Sequence, residues 1–343
     1  MFTKKIFQLS CIAVLAGTLF TSCSDDDDNM TNPTPNSTFV YASNNSNGNV
    51  TVYDVTDASN ISTKTFITAS VAADGIYADG NGTVVQASRT DNGLEGFNIS
   101  SDLTSGSVID IAIDGSNDMD SPREVAVNGN TFVVADNADV DGDTNTPDGR
   151  LFIYTRSGNS FTLQNTITTD FKLWGITFIG NDLYAVVDAT NELAVFTNFL
   201  SNTTDTTLSA SKRIAIEGIV RTHGLTYDAA SDIMIMTDIG EASNPDTDGG
   251  FHVIDGFMSK FNSTMAGGTL AVSQQTRVAG SSTLLGNPVD VAYDAATGTV
   301  FIAEAGNGGG RILAFNSIGS GGNIAPVVNN SLASASAVYL YKE

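Results

Sequence analysis

A segment of near-constant length recurs along the chain, and nothing else in the sequence restricts the fold as strongly. Asp74-Gly75-Ile76-Tyr77-Ala78-Asp79 runs into a glycine-rich turn and then into Thr83-Val84-Val85-Gln86-Ala87-Ser88. The layout returns as Arg123-Glu124-Val125-Ala126-Val127 with Thr131-Phe132-Val133-Val134-Ala135-Asp136, and as Trp174-Gly175-Ile176-Thr177-Phe178 with Leu183-Tyr184-Ala185-Val186-Val187-Asp188. Two further copies are His223-Gly224-Leu225-Thr226-Tyr227-Asp228 with Ile233-Met234-Ile235-Met236-Thr237-Asp238, and Val289-Asp290-Val291-Ala292-Tyr293-Asp294 with Thr299-Val300-Phe301-Ile302-Ala303-Glu304. The starts at 74, 123, 174, 223 and 289 are spaced by 49, 51, 49 and 66 residues. A third apolar run follows each pair, at 94–99, 151–154, 193–196, 251–254 and 312–315, and a fourth stretch alternates, as at 108–113 and 213–216. Short runs rich in Val, Ile, Phe and Tyr, broken by Asn-Gly and Ala-Thr-Gly turns, predict four antiparallel strands per copy.

Four strands at this period predict a β-propeller blade. The termini set the number of blades. Phe39 to Ser43 and Asn49 to Tyr53 read as second and third strands whose first strand is missing, and Ser336 to Tyr341, 47 residues after Val289, supplies it. The expectation is an all-β chain: one six-bladed β-propeller over 38–343, its ring closed by the C-terminal strand joining the N-terminal blade, which removes the exposed sheet edge. No segment has the periodicity of a useful amphipathic helix.

The first thirty residues carry an address. Lys4 and Lys5 precede an apolar run from Ile6 to Phe20 that is too short for a comfortable membrane span and reads as a secretory signal, residues 1–22. Leu19-Phe20-Thr21-Ser22-Cys23 resembles a bacterial lipobox, which implies a lipid on Cys23 as the first mature residue. Asp25 to Asp28 resembles the acidic export tag of lipoproteins displayed on certain Gram-negative bacteria. Residues 23–37 then form a lipidated cysteine with an acidic, Pro- and Asn-bearing tether, and the protein is expected on the outer membrane, facing outward. Loss of Cys11 with the signal leaves Cys23 as the only thiol, so no internal disulfide holds the domain. With 15 basic against 38 acidic residues and a net charge of -23, a nucleic-acid partner is excluded.

Motifs such as Val133-Val134-Ala135-Asp136 and Arg150-Leu151-Phe152-Ile153-Tyr154 resemble the strand pairs of six-bladed propellers of the NHL and lactonase-like kind. That resemblance covers nearly the whole mature chain and implies an architecture shared by lactonases, lyases, sugar binders and interaction scaffolds. In the calcium-dependent gluconolactonase group, Glu, Asn and Asp hold one ion in the central channel. Asp238 matches the Asp, but His223 stands where that group has Asn, and Asp74-Gly75-Ile76 stands where its early Glu belongs.

In a propeller the innermost strands begin at one mouth of the channel, so Asp74, Arg123, Trp174 and His223, with Glu124 and Asp290 next in line, are the candidate ligand-binding residues. Arg and Trp offer fork hydrogen bonds and ring stacking to a sugar or a carboxylate. The residues ending second strands, Ser43, Ser88, Asp136, Asp188, Asp238 and Glu304, are expected to accept hydrogen bonds from their own turns. The loop Asp139-Val140-Asp141-Gly142-Asp143-Thr144-Asn145, continuing to Asp148, sets carboxylates at alternate positions, a spacing suited to calcium, although Thr144 and Arg150 depart from the EF-hand pattern. The loop from Glu241 to Gly250 echoes it more weakly. No Walker loop, zinc-protease helix or nucleophile elbow is present. The sequence is read as a non-catalytic propeller binding an extracellular glycan, small molecule or protein. The alternatives are a calcium-dependent hydrolase working through Asp238, or an adhesion or assembly scaffold.

Overall fold

The computed structural model describes residues 37–143 and 145–343. The secretory signal, Cys23 and the tether up to residue 36 lie outside the described residues, as does Thr144 of the acidic loop. Among the described residues no helix is long and apolar enough to cross a membrane.

The protein is all-β and built from antiparallel quartets of strands. Six strands each open a quartet and are labelled in chain order: β1 (Ala73–Ala78), β2 (Pro122–Asn128), β3 (Leu173–Ile179), β4 (Leu225–Asp228), β5 (Pro288–Asp294) and β6 (Ala335–Lys342). Beside β1 lie Thr83–Ser88, Gly93–Asn98 and Ile111–Asp114, and beside β2 lie Thr131–Asp136, Gly149–Ser157 and Ser160–Thr169. These two quartets are joined by one parallel pair, Ser160 with Asp114. The strand β6 pairs with Thr38–Asn44, aligning Tyr339 with Tyr41 and Val338 with Ala42, so the two ends of the domain share one sheet.

Most second and third strands are buried on both faces, which explains why they read as continuous apolar runs rather than alternating ones. Val85, Ala87, Phe132, Val134 and Tyr154 form one core between the first two quartets. Ala135, Leu151, Ile176, Leu183 and Ala185 form the next. Small Ala residues stand beside large partners in these cores, so neighbouring sheets interdigitate.

The opening strands pack on one another in sequence, β1 on β2, β2 on β3, β3 on β4, β4 on β5 and β5 on β6, and β6 packs on β1. Glycine permits that approach. A Cβ on Gly75 would sit 2.6 Å from the backbone N of Val125, one on Gly175 2.4 Å from the His223 carbonyl oxygen, and one on Gly224 2.5 Å from the Asp290 Cα. Gly175 also donates its N–H to the His223 carbonyl at 2.9 Å, tying β3 to the segment entering β4.

The register slips by one residue at the start of β1, β2, β3 and β5, between Ala73 and Ile76, Pro122 and Val125, Leu173 and Ile176, and Pro288 and Asp290. Each slip is a bulge that re-aims the side chains beside it. The residues affected include Asp74, Arg123, Glu124, Trp174 and Val289.

Three local expectations change. His223 lies ahead of β4, which begins at Leu225. The strand expected over 108–113 is Ile111–Asp114, with Val108 making only an isolated parallel bridge to Ile67. A short helix, Phe257–Ser263, buries Phe257 and Phe261 against Tyr184.

Replacing Gly224 by Val forces branched carbon into the Asp290 backbone. The expected outcome in a denaturant melt is a loss of about 1–3 kcal/mol, and an unchanged midpoint would show that the strands do not approach this closely.

Candidate functional site

The entrance to the opening strands carries a relay of charged and aromatic side chains. Asp74, only 4% exposed, has Oδ2 3.3 Å from Arg123 Nη1 and 3.7 Å from Arg89 Nε. Its Oδ1 accepts Asn45 Nδ2 at 2.7 Å, and its backbone carbonyl accepts the Ser43 hydroxyl. Burial pushes the Asp74 carboxyl up, and the two guanidinium groups and Asn45 oppose it.

The guanidinium of Arg123 lies 4.4 Å from the centroid of the Trp174 ring. Trp174 in turn stacks on His223, centroids 3.7 Å apart and planes within 2°. Such face-to-face contact with a buried imidazole, plus a cation over the ring, fixes the indole plane. The relay ends at Asp188, whose Oδ1 lies 3.3 Å from His223 Nε2 without meeting hydrogen-bond geometry. Asp188 Oδ1 also accepts Arg221 Nε at 3.1 Å and Nη2 at 2.7 Å, and Oδ2 accepts Asn137 Nδ2 at 3.0 Å. Burial works against the Asp188 charge, but His223, Asn137 and Arg221 together hold its carboxyl pKa well below the usual carboxylate range. The Arg221 and Asn137 contacts persist whatever the charge on His223. Burial holds His223 below the ordinary histidine value of 6.5, with Asp188 opposing.

Several buried polar atoms here have no hydrogen-bond partner: Arg123 Nε, both ring nitrogens of His223 and Thr222 Oγ1. Native proteins leave few such groups without water or ligand, since each costs about 1–3 kcal/mol. Trp174 between them is only half-buried.

Glu124 and Asp290 stand elsewhere. They were expected beside the mouth, but they line a cavity of about 300 Å³ enclosed by all six opening strands, whose lining excludes Asp74, Arg123, Trp174 and His223. Both take the strand position that is Gly75, Gly175, Gly224 or Ala337 in the other copies. The aromatic residues at the other end of that cavity, Tyr77, Phe178, Tyr227, Tyr293 and Tyr339, escaped the sequence reading, although they recur near the end of five first strands.

The ends of second strands bind their own surroundings. Asp136 accepts the backbone N–H groups of Asp120, Ser121 and Ala138, and Glu304 accepts those of Gly286, Asn287, Gly306 and Asn307. Asp238, the alternative channel ligand, is fully buried, accepts Val220 and Gly240 N–H at 3.0 and 3.1 Å, and has Oδ2 3.3 Å from Arg277. It does not line the cavity. In the acidic loop, Asp139 accepts Gly142 N–H, Asp141 accepts Asp143 N–H, Asp143 accepts Asn145 N–H and Asp148 accepts Val140 N–H. Asp139 Oδ2 also lies 3.5 Å from Lys172 Nζ. Among the described residues no three His, Cys, Asp or Glu side chains converge as a metal cluster.

No family model matches the chain, and no curated protein matches it. Solved structures do. A chain from the crystal structure of a nidogen/laminin complex superposes with a TM-score of 0.56 at 12% identity, covering 89% of this chain and 98% of that one. That chain is a β-propeller of the YWTD type. A protein of unknown function from Bacteroides caccae superposes with a TM-score of 0.54 at 10% identity, covering 90% and 100%. At such identity the likeness shows the fold alone: the antiparallel quartets are those of a β-propeller.

Trp174 is the only tryptophan, so its emission reports this stack. A histidine kept neutral by burial supports the fold above its unfolded pKa and loses that contribution as pH falls through its lower folded pKa. Acidification is therefore expected to quench Trp174 emission with a midpoint below 6.5 and to lower the melting temperature. The quench should vanish in His223→Gln; a midpoint at or above the ordinary value would show that the imidazole is not buried in this stack.

Proposed function

We propose that this is a lipid-anchored surface protein whose propeller binds an extracellular ligand at the Arg123–Trp174–His223 mouth without transforming it. The observation that carries the reading is the set of unpartnered buried polar atoms on Arg123, His223 and Thr222 beside the half-buried Trp174 face. An incoming carboxylate or sugar hydroxyl would meet the free Arg123 Nε and the imidazole, and a sugar ring would lie against the indole. Glycans, small carboxylates and protein side chains all offer these groups.

The finer architecture in this reading is a six-bladed ring of the NHL and lactonase-like kind, closed by β6 pairing with the N-terminal strand. It is supported by the six quartets and by the packing of β6 on both β5 and β1. Anchorage to the outer membrane through Cys23 is supported by the Leu19 to Cys23 segment and by the acidic run that follows. Calcium belongs to the loop of Asp139, Asp141, Asp143, Asn145 and Asp148, whose alternating oxygens could turn from their own backbone to an ion.

The test titrates neutral and acidic oligosaccharides and small carboxylates against the full chain and reads Trp174 emission. Saturable binding is expected to weaken at least tenfold, about 1.4 kcal/mol, in Arg123→Ala, and cells carrying Cys23→Ala should lose binding at their surface while the purified variant keeps it. Binding indifferent to Arg123 and Trp174 substitutions would remove the mouth from the function. A parallel calcium titration is expected to raise the melting temperature by linkage. The increment should disappear in Asp141→Ala and survive in Asp238→Ala, and no increment in the unaltered protein would dismiss the loop as a calcium site.

A further inference from the structure

The cavity between the opening strands has walls of Ile76, Val125, Ile176, Leu225, Val291 and Val338, with the aromatic residues toward the C-terminal ends of the strands. Its charged lining residues are Glu124 and Asp290, and no basic side chain is among those that line it. The strands β2 and β5 that carry them are three apart whichever way the packing order is followed, so the two carboxyls enter the cavity from opposite sides. The other four copies offer Gly or Ala at this position. Acid therefore stands where the packing elsewhere admits at most a methyl group.

Asp290 is 5% exposed and accepts the Val338 N–H at 2.8 Å, and Glu124 accepts the Val125 N–H at 2.8 Å. The guanidinium of Arg123, the residue before Glu124, is committed to Asp74 and Trp174. Two like charges facing a cavity without a counter-charge are expensive. Burial pushes Asp290 up to about 7 and Glu124 well above its usual value, with repulsion from Asp290 adding to the Glu124 shift and Asp74 repelling both. The other titratable groups of the lining are the Tyr77, Tyr227, Tyr293 and Tyr339 hydroxyls.

We propose that this cavity binds an organic cation, a protonated amine, whose ammonium lies between Glu124 and Asp290 and whose carbon chain extends toward the aromatic residues. An ammonium brings three donors and one positive charge to two acceptor-only groups. A hard metal ion asks for about six to eight oxygen ligands, which the two carboxylates alone do not supply. The cavity is also too large for a bare ion, being equivalent to roughly ten waters at about 30 Å³ each. This goes beyond the mouth reading and does not depend on it, because Trp174 does not line the cavity: amine binding retained in Trp174→Ala separates the two.

The experiment is isothermal titration of the full chain in non-ionic detergent with n-hexylammonium chloride, 1-hexanol serving as the uncharged counterpart. Saturable amine binding at least tenfold tighter than that of hexanol is expected. Repeated near neutral pH in buffers of unlike ionisation enthalpy, it should release protons, because the cation draws the carboxyls back to their ionised form. The double variant Glu124→Gln, Asp290→Asn should bind the amine at least tenfold more weakly and release no protons, with its melting temperature kept or raised. Absence of saturable amine binding to the folded protein, hexanol binding equally well, or an undiminished double variant would each overturn the proposal. Calcium chloride alone binding in the amine's place, and failing to bind the double variant, would also overturn it by assigning the pair to a metal. Should the double variant not fold, the unaltered protein decides: amine affinity should rise at least tenfold between about pH 5.5 and about pH 8.5 as the carboxyls ionise, and a flat profile would overturn the proposal.

Discussion

The close approach of backbones around the central cavity is the constraint on which the rest of the fold depends. Gly75, Gly175 and Gly224 each abut the main chain of the next copy of the repeat at distances that leave no room for a Cβ. Contact at that radius brings the quartets near enough for Ala-rich and large-residue faces to interdigitate, producing the cores around Val134 and Leu151. Dense packing of this sort makes the interior rigid, and a rigid interior can keep polar groups in arrangements that would relax if they lay on mobile loops.

The central passage divides into two electrostatic environments. At the entrance charges alternate and neutralise: Asp74 faces Arg123, whose guanidinium also covers Trp174, and Asp188 faces Arg221 beside the neutral imidazole of His223. Between the opening strands, Glu124 and Asp290 line a cavity to which no basic side chain contributes, each accepting one backbone N–H. The same type of side chain thus has its acidity strengthened at Asp188, where His223, Asn137 and Arg221 favour the charged form, and weakened at Asp290, where burial outweighs two backbone N–H groups and Asp74 adds repulsion. The proposed recognition follows the same division, hydrogen bonding and stacking being assigned to the entrance and selection by charge to the cavity.

Much of this was legible because a repeat exposes departures from itself. Alignment of the copies identified Asp74, Arg123, Trp174 and His223 as the residues at the strand entrances, and they do meet as one relay. It also anticipated that Asp136, Asp238 and Glu304 would accept N–H groups of their own turns, as they do from Ala138, Gly240, Gly306 and Asn307, but not that the segment leading into each opening strand, at Ser121, Val220 and Gly286, would donate to them as well. Asp188 was not separable from them in sequence. It too accepts a local N–H, from Ala189, but its other partners, Arg221 and Asn137, come from neighbouring copies, and contacts between copies leave no periodic trace. The bulges at the strand starts were invisible for a related reason: an inserted residue is defined by the register of its partner strand, and that register is a pairwise property. Without it, Glu124 and Asp290 were placed at the entrance instead of inside.

By itself the sequence determined the all-β class, the repeat and the positions that line up from copy to copy, because turn chemistry and apolar runs act over a few residues and survive in the one-dimensional pattern. Tertiary structure alone decided that the guanidinium, indole and imidazole stack on one another, that the entrance charges are paired, and that two acids stand unpaired across a cavity. These depend on which backbones come within contact distance, on where a glycine lets them do so, and on how far water is excluded from the space they enclose.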